Sequence, residues 1–307
     1  MLAAYHLKHR IYYSHKHDTM KKIPLLAGLI AGCMLFAGTA VEQEGADSTG
    51  LPGDNFSLQG ALEMFKKAGS PEEFEKLINT QSNNINNLDL NGDGDIDYVR
   101  VIDKSEKDAH AFVLQVAVSE NENQDIAVIE LEKNGSESAV LQIVGDEEIY
   151  GEQVIVEASD GTDGDEEESP AKNGPSFNYD EGNYPIVVNV WMWPCVRFVY
   201  RPAYVPWVSP WRWRMYPAWW RPWRPVTWRV FHPLAFRYHP HCRVVRTHRV
   251  VVAHRVYTPY RASSVVVRTR HAHAVKNYRV TRTRTTVTGP RGGKVKVTRT
   301  KVRGKRG

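Results

Sequence analysis

Apolar residues recur at helical spacing in two neighbouring stretches between residues 57 and 78. The first stretch follows Ser57, a suitable N-cap, and ends at Gly69. Its apolar face consists of Leu58, Ala61, Leu62 and Phe65. The second opens with Ser70-Pro71-Glu72-Glu73, where a serine cap, a proline in first position and a glutamate in third position mark a helix start. The spacing therefore predicts two short amphipathic helices.

Beyond residue 97 the pattern changes to alternation, which is typical of strands. The predicted strands cover residues 97–103, 111–119, 125–132, 138–144 and 153–157. Asn134-Gly135 lies between the third and fourth strands, and this dipeptide favours a two-residue hairpin turn because both positions accept positive φ. Residues 57–158 are therefore expected to form an acidic α+β domain, with two helices packed on an antiparallel β-meander of about five strands.

The C-terminal part of the chain differs in composition and in its pattern of residues. Proline recurs every few residues between residues 191 and 233, which argues against a regular helix or a central strand. Residues 278–288 and 294–302 alternate Thr and Val with Arg and Lys, a pattern that fits either a basic β-hairpin or a disordered tail. Residues 159–184 are expected to be a disordered acidic linker, and residues 185–307 a basic, largely irregular or extended region.

The net charge of +5 conceals a strong segregation of charge along the chain. Residues 41–184 contain 34 Asp and Glu against 8 Lys and Arg, whereas residues 185–307 contain 27 Lys and Arg and no acidic residue. A single fold rarely separates charge in this way. The chain is therefore expected to contain two modules that either have different partners or attract each other.

The N-terminal residues predict an export signal. Met20-Lys21-Lys22 precedes an apolar run and the small residues Gly38-Thr39-Ala40, which is the pattern of a signal peptide over residues 20–40. Residues 1–19 are then expected to be a non-native upstream extension, and residues 41–56 a linker.

Two further interpretations of the N-terminus remain open. Ile30-Ala31-Gly32-Cys33 resembles a bacterial lipobox in which Cys33 is lipidated, and the apolar run from Ile23 to Ala40 is also long enough for a short uncleaved span. The mature protein is expected in the periplasm or on the outer envelope surface, lipid-anchored if Cys33 is modified, or otherwise secreted.

The segment from Asp89 to Asp97 combines carboxylates, an amide and two glycines at the spacing of a calcium-binding loop. The predicted ligands are Asp89, Asn91, Asp93, Asp95 and Asp97. Gly94 lies where such a loop turns sharply, but position 12 is Arg100 instead of the bidentate glutamate of an EF-hand. The segment is expected to bind Ca²⁺; the alternative is a solvated Asn/Asp/Gly turn.

Two resemblances follow from these residues. The pattern D-x-N-x-D-G-x-x-D before a strand resembles the calcium loops of integrin-type β-propeller repeats more than an EF-hand. The chain is also similar to bacterial secreted or envelope proteins that pair an N-L-D-L-N-G-D-G-D-x-D-Y loop with a long basic, aromatic tail. This second resemblance is most specific at Asn87 to Tyr98 and at Gln142-Ile143-Val144-Gly145-Asp146, and it implies an exported protein without a particular activity.

All nine tryptophans lie between Trp191 and Trp228, interspersed with proline and arginine. Arginine pairs with phosphate, and tryptophan settles at membrane–water interfaces, so this segment is similar in composition to Trp/Pro/Arg-rich antimicrobial peptides. The candidate polyanion-binding residues are Arg212, Arg214, Arg221, Arg224, Trp211, Trp213, Trp220 and Trp223. The alternative is that the rings pack against the acidic domain or against each other.

Catalysis is not expected, because no nucleophile signature such as G-x-S-x-G occurs, and no small-molecule substrate is predicted. His239-Pro240-His241-Cys242 and His271-Ala272-His273 offer transition-metal ligands, although their spacing fits no standard zinc pattern. Cys195 and Cys242 are candidates for a disulfide in an oxidising compartment.

Three functions fit these features. The first is a non-enzymatic envelope protein with one structural Ca²⁺, whose basic aromatic tail binds an anionic envelope surface such as lipid phosphates. The second is nucleic-acid binding, for example to extracellular DNA, through arginine and aromatic side chains. In the third, the tail folds onto the acidic domain of its own chain.

Overall fold

The computed structural model describes residues 48–159, 187–288 and 294–300, with side chains described as far as Tyr278. The predicted signal peptide with Cys33, the upstream extension and almost all of the acidic linker lie outside these ranges. Within the ranges, no helix combines the length and apolar character that crossing a bilayer requires.

Helices α1 (Leu58–Lys67) and α2 (Pro71–Ile78) form where the sequence predicts them. Ser57 Oγ accepts a hydrogen bond from the backbone N–H of Gly60, and Ser70 Oγ accepts one from Glu73, so both predicted caps are made.

The main sheet has six antiparallel strands, which lie in the order in which they occur along the chain. They are β1 (Val99–Glu106), β2 (Ala109–Ala117), β3 (Asn123–Gly135), β4 (Ser138–Gly145), β5 (Val154–Ala158) and β6 (Cys242–Val245). A short helix, α3 (Glu147–Tyr150), connects β4 to β5. The α+β class and the antiparallel sheet are confirmed. The main sheet has six strands instead of the predicted five, because β6 from the basic region pairs with β5.

The turn between β3 and β4 is not the predicted Asn134-Gly135 pair. Both residues belong to β3, and the turn is formed by Ser136 and Glu137. The register shifts between Lys133 and Gly135, and neither Asn134 nor Gly135 has a positive φ. The ladder accommodates an irregularity at this point, so the reversal occurs two residues farther along the chain than the dipeptide predicts.

Both faces of the sheet are covered. On one face α1 and α2 enclose a core in which the rings of Phe65 and Phe74 lie 5.2 Å apart and Phe65 also meets Phe112. The opposite face carries a smaller cluster, which consists of Ala111, Val113, Val128, Val144, Ile155, Val245 and Tyr257. Strand β2 is consequently buried at eight consecutive positions instead of alternating between core and solvent.

The basic region contains more regular structure than the sequence predicts. It forms helices α4 (Pro194–Val199), α5 (Trp228–Phe236), α6 (Val251–Tyr257) and α7 (Val265–Thr281), besides β6. Strands β7 (Arg282–Thr288) and β8 (Lys294–Thr300) form a separate antiparallel pair.

The expectation of a largely irregular or extended region was therefore wrong for the helical segments, whereas the pairing of β7 with β8 agrees with the predicted basic β-hairpin. Proline does not prevent the helices: Pro194 occupies the first turn of α4, where no N–H bond is lost, whereas Pro233 lies inside α5. Cys195 and Val196 of α4 are fully buried in the main core. Packing against the acidic domain supplies the stability that the local sequence does not.

Several buried carboxylates of the acidic domain form hydrogen bonds or ion pairs with side chains along the basic region. Glu75 accepts hydrogen bonds from Trp207 Nε1 and Ser209 Oγ, which places the loop before Trp211 over β1. The further pairs are Tyr204 with Asp103, Arg243 and Arg249 with Glu157, His248 and His254 with Glu130, and Arg261 with Asp146. Part of the segregated charge is thus neutralised within the chain.

Candidate functional site

The predicted calcium ligands lie together in the loop that precedes β1. The loop is shaped by side-chain oxygens that accept hydrogen bonds from nearby backbone N–H groups. The pairs are Asp89 with Gly92 and Gly94 (2.6 and 3.0 Å), Asn91 with Asp93 (2.8 Å), and Asp93 with Asp95 (3.0 Å). Gly92 and Gly94 have φ values of 71° and 88°, which suit glycine at these turns. This geometry serves a metal loop and equally a series of Asx-turns.

Asp97 is the buried member of the set. Its residue exposure is 7%, and its Oδ2 accepts a hydrogen bond of 2.6 Å from the backbone N–H of Leu90. Burial raises the pKa of Asp97 to about 7, and the charges of Asp89 and Asp93 act in the same direction. Mutual repulsion between these carboxylates is relieved by a cation, so the donor set fits a hard divalent ion such as Ca²⁺.

Arg270 of α7 lies against the same loop. Its Nη1 donates a 2.7 Å hydrogen bond to the backbone carbonyl of Asn91. A Cβ added at Gly92 would lie 1.6 Å from Arg270 Nη2, but this flexible side chain can move aside, so the positive φ is the stronger reason for glycine at position 92. The basic region thereby places one positive charge at the rim of the loop, which any bound cation has to tolerate.

The loop is also in direct contact with the Trp-rich segment. The backbone N–H of Ile96 donates to the carbonyl of Trp223 at 2.8 Å. Ile96, Tyr98 and Trp220 form a small buried cluster, in which the rings of Tyr98 and Trp220 lie 5.1 Å apart and nearly perpendicular. Trp220, a candidate polyanion-binding residue, is only 2% exposed and therefore serves as an anchor in this cluster.

The four candidate arginines are exposed, whereas Trp211, Trp213 and Trp223 are partly buried and Trp219, which the sequence analysis did not select, is exposed. We call these residues the Arg/Trp surface: Arg212, Arg214, Arg221, Arg224, Trp211, Trp213, Trp219 and Trp223. In the described part of the chain none of its arginines forms an ion pair with a carboxylate, in contrast to Arg243, Arg249 and Arg261.

Comparisons with family models, with characterised proteins and with solved structures found no match. The functional argument therefore rests on the geometry of the loop, of the Arg/Trp surface and of the remaining polar clusters.

One cluster was missed by the sequence analysis. The ligand atoms of Glu130, His248 and His254 all lie within 4.8 Å of one another. Among the described residues, this is the group of His, Cys, Asp or Glu side chains close enough together to hold a metal ion. The predicted motifs around His239 and His271 form no such group there. The sequence offers a weak signal in the two histidines six positions apart, but Glu130 joins them only through the fold.

The two cysteines of the basic region are free thiols in this structure. Cys195 is buried in α4, and Cys242 begins β6. Burial raises the pKa of both thiols well above the usual range, so neither is an activated nucleophile.

Proposed function

We propose that this protein is a non-enzymatic exported protein that binds an anionic surface of the cell envelope through its Arg/Trp surface. The proposal includes one structural Ca²⁺ in the loop from Asp89 to Asp97. The observation that carries it is the set of four exposed arginines without a carboxylate partner in the described residues.

The chemistry of this surface matches a phosphate-bearing layer. An arginine fork forms paired hydrogen bonds with phosphate oxygens, and partly exposed indole rings favour the interface between headgroups and acyl chains. Arg214 lies with its guanidinium 5.2 Å from the centre of the Trp213 ring, so cation and indole are presented together. The buried ring of Trp220 packs against Tyr98 and so anchors the Trp-rich segment to the acidic domain.

Calcium and the surface are coupled in this proposal. The loop carboxylates Asp93 and Asp95 are exposed, and the Ile96 to Trp223 hydrogen bond ties the loop to the surface. Without a cation, these carboxylates repel an anionic membrane. A bound Ca²⁺ neutralises them, and the residues that would hold it are Asp89, Asn91, Asp93, Asp95 through its carbonyl, and Asp97.

Vesicle sedimentation tests the proposal. The mature protein is mixed with vesicles of phosphatidylcholine alone or with added phosphatidylglycerol, at low and high salt, with Ca²⁺ or with a calcium chelator. We expect binding to the anionic vesicles that salt weakens and Ca²⁺ strengthens. Replacing the four arginines with glutamine should lower the partition coefficient at least about tenfold, because each basic residue near an anionic surface contributes about 1 kcal/mol.

The matched control removes the same number of charges elsewhere. Lys67, Arg201, Arg255 and Arg268 are exposed and lie outside the Arg/Trp surface, and their replacement with glutamine should leave most of the binding intact. Equal binding to neutral and anionic vesicles, or equal losses in the two variants, would contradict the proposal. Retention on DNA together with failure to bind anionic vesicles would support the nucleic-acid function instead.

A further inference from the structure

A buried carboxylate of the sheet faces two imidazoles from the basic region. Glu130 lies on β3 with no exposed surface. Its Oε1 is 2.7 Å from His254 Nδ1, and its Oε2 is hydrogen-bonded to His248 Nε2. The two imidazole ring centres lie 4.4 Å apart, with their planes at 71°. Three ligand atoms of the kind that bind transition metals therefore meet at one point on the sheet.

We propose that Glu130, His248 and His254 form a binding site for a transition-metal ion, with Zn²⁺ as the reference ion. Two imidazole nitrogens and one carboxylate oxygen are preferred by Zn²⁺ and neighbouring divalent ions, whereas Ca²⁺ prefers oxygen ligands alone. The site is thus distinct in chemistry from the loop at Asp89 to Asp97, and it does not depend on the proposed function.

The charge balance of the cluster favours a cation. An ionised carboxylate in the interior is unfavourable unless a positive charge accompanies it. In the described part of the chain Glu130 pairs with the two histidines and with no arginine or lysine. Neutral imidazoles supply hydrogen bonds but no charge, and a proton on His248, whose pKa the hydrogen bond to Glu130 raises, is the charge that a metal ion would replace. A divalent ion supplies the charge and displaces the protons that the imidazoles now share with the carboxylate.

The segments that carry the histidines are fixed by side chains of the sheet. Gln142 Nε2 donates to the Thr247 carbonyl at 2.8 Å, and Gln142 Oε1 accepts from the Arg249 N–H at 2.7 Å, so both neighbours of His248 are held. Glu132 Oε1 accepts from the N–H groups of Val252 and Ala253, at the start of the helix that carries His254. The cluster is therefore positioned in advance of any ligand.

The dimensions also suit a metal. Zn²⁺ lies about 2.0–2.2 Å from nitrogen and oxygen ligands, so donor atoms around it are separated by roughly 3.3 Å. The ligand atoms now lie within 4.8 Å of one another, and side-chain rotation can adjust these separations. The side chains of His248 and His254 are 22% and 34% exposed, so solvent reaches the ion and a water molecule completes the coordination.

The experiment uses untagged mature protein, freed of metal with a chelator, and titrates Zn²⁺ in competition with a chromophoric chelator. We expect one equivalent to bind. In the variant His248→Gln/His254→Gln the affinity should fall by at least about tenfold. The matched control His271→Gln/His273→Gln alters two histidines of α7 that the cluster does not use, and it should bind like the parent.

A Co²⁺ spectrum provides the second measurement, which remains decisive if the variant fails to fold. A site of two imidazoles and a carboxylate gives visible d–d bands without the near-ultraviolet charge-transfer band of a thiolate ligand. That band would place the ion on Cys195 or Cys242 and overturn the assignment. Failure of the parent protein to bind Zn²⁺, or equal affinity in the cluster variant and the parent, would also overturn it and leave Glu130 as a hydrogen-bonding partner only.

Discussion

Asp97 is the buried carboxylate of a loop in which Asp93 and Asp95 are exposed. Its pKa, raised to about 7 mainly by burial, lies above the value of an unfolded aspartate. The stability that this group contributes without a metal is therefore present at acidic pH and is lost as the pH rises through about 7. Calcium binding has the opposite dependence, because the ligand is the ionised form.

This contrast gives a prediction for the variant Asp97→Asn. Calcium at about a hundredfold excess over its Kd should stabilise the parent by about 2.7 kcal/mol, and the affinity should increase between pH 6 and pH 8. The variant should lose most of this gain and its pH dependence. In the presence of a chelator at pH 8 it should be at least as stable as the parent, because a buried charge beside Asp89 and Asp93 has been removed.

Thermal unfolding with and without Ca²⁺ at both pH values is the measurement. A parent melting temperature that calcium leaves unchanged would show that the loop is an Asx-turn series without a metal. Magnesium is a useful control, because its smaller ion demands octahedral geometry and is dehydrated reluctantly.

At the scale of the elements, α6 owes its N-terminal hydrogen bonds to a residue far away in the sequence. Glu132 of β3 accepts from the N–H groups of Val252 and Ala253 at 2.5 and 2.9 Å. It acts on this helix as Ser57 acts on α1, except that the acceptor comes from the sheet. Helix α6 in turn covers the second face of the sheet with Tyr257.

The variant Glu132→Ala should lower the free energy of unfolding by about 1 kcal/mol, since two N–H groups of the helix lose their acceptor. Glu132→Gln keeps a carbonyl oxygen at the same place and should lose less. Ser57→Ala, which removes the locally supplied cap of α1, is the comparison and should cost a similar amount. Denaturant unfolding measures all three, and an unchanged midpoint for Glu132→Ala would mean that solvent replaces the carboxylate without loss.

Elements with local signals could be predicted from the sequence. The Ser57 and Ser70 caps and the alternation of β1 to β5 placed those elements within a few residues of their observed ends. Strand β6 could not be predicted, because its pairing with β5 is non-local: Arg243 meets Glu157 across 86 residues of sequence. The short helices α4 and α6 likewise have no stability of their own and depend on packing.

The same distinction applies to the sites. The spacing of Asp89, Asn91 and Asp93 is local, and the sequence predicted that they share one loop. The burial of Trp220 and the meeting of Glu130 with His254 are consequences of tertiary structure, so neither periodicity nor motif spacing reveals them.

At the scale of the whole molecule, two sets of arginines differ in their partners. Arg243, Arg249 and Arg261 pair with carboxylates of the sheet, whereas the arginines of the Arg/Trp surface do not pair in the described residues. The described parts of the acidic and basic regions belong to one compact unit. Some of the basic residues thus hold the basic region against the acidic sheet, whereas the arginines of the Arg/Trp surface remain exposed to solvent.

This arrangement predicts that the acidic and basic regions unfold together. All nine tryptophans belong to the basic region, so their fluorescence reports on it, while β1 to β5 dominate the far-ultraviolet circular dichroism of the strands. The two signals should give coincident denaturant transitions. Two separated transitions, with fluorescence changing first, would show that the basic region detaches while the sheet survives.

The pairing of β6 with β5 has a consequence for the fate of damaged chains. Four residues of β6 occupy the hydrogen-bonding groups of β5, whose five residues are all buried. If a protease released the segment after His241, the hydrogen-bonding edge of β5 would be exposed. Exposed apolar edge strands pair with the same strand of other copies, and such pairing can lead to fibrils. The short, arginine-bearing strand that now forms the border of the sheet is a poor template for that growth. By covering the edge of β5, strand β6 therefore also disfavours pairing between copies of the protein.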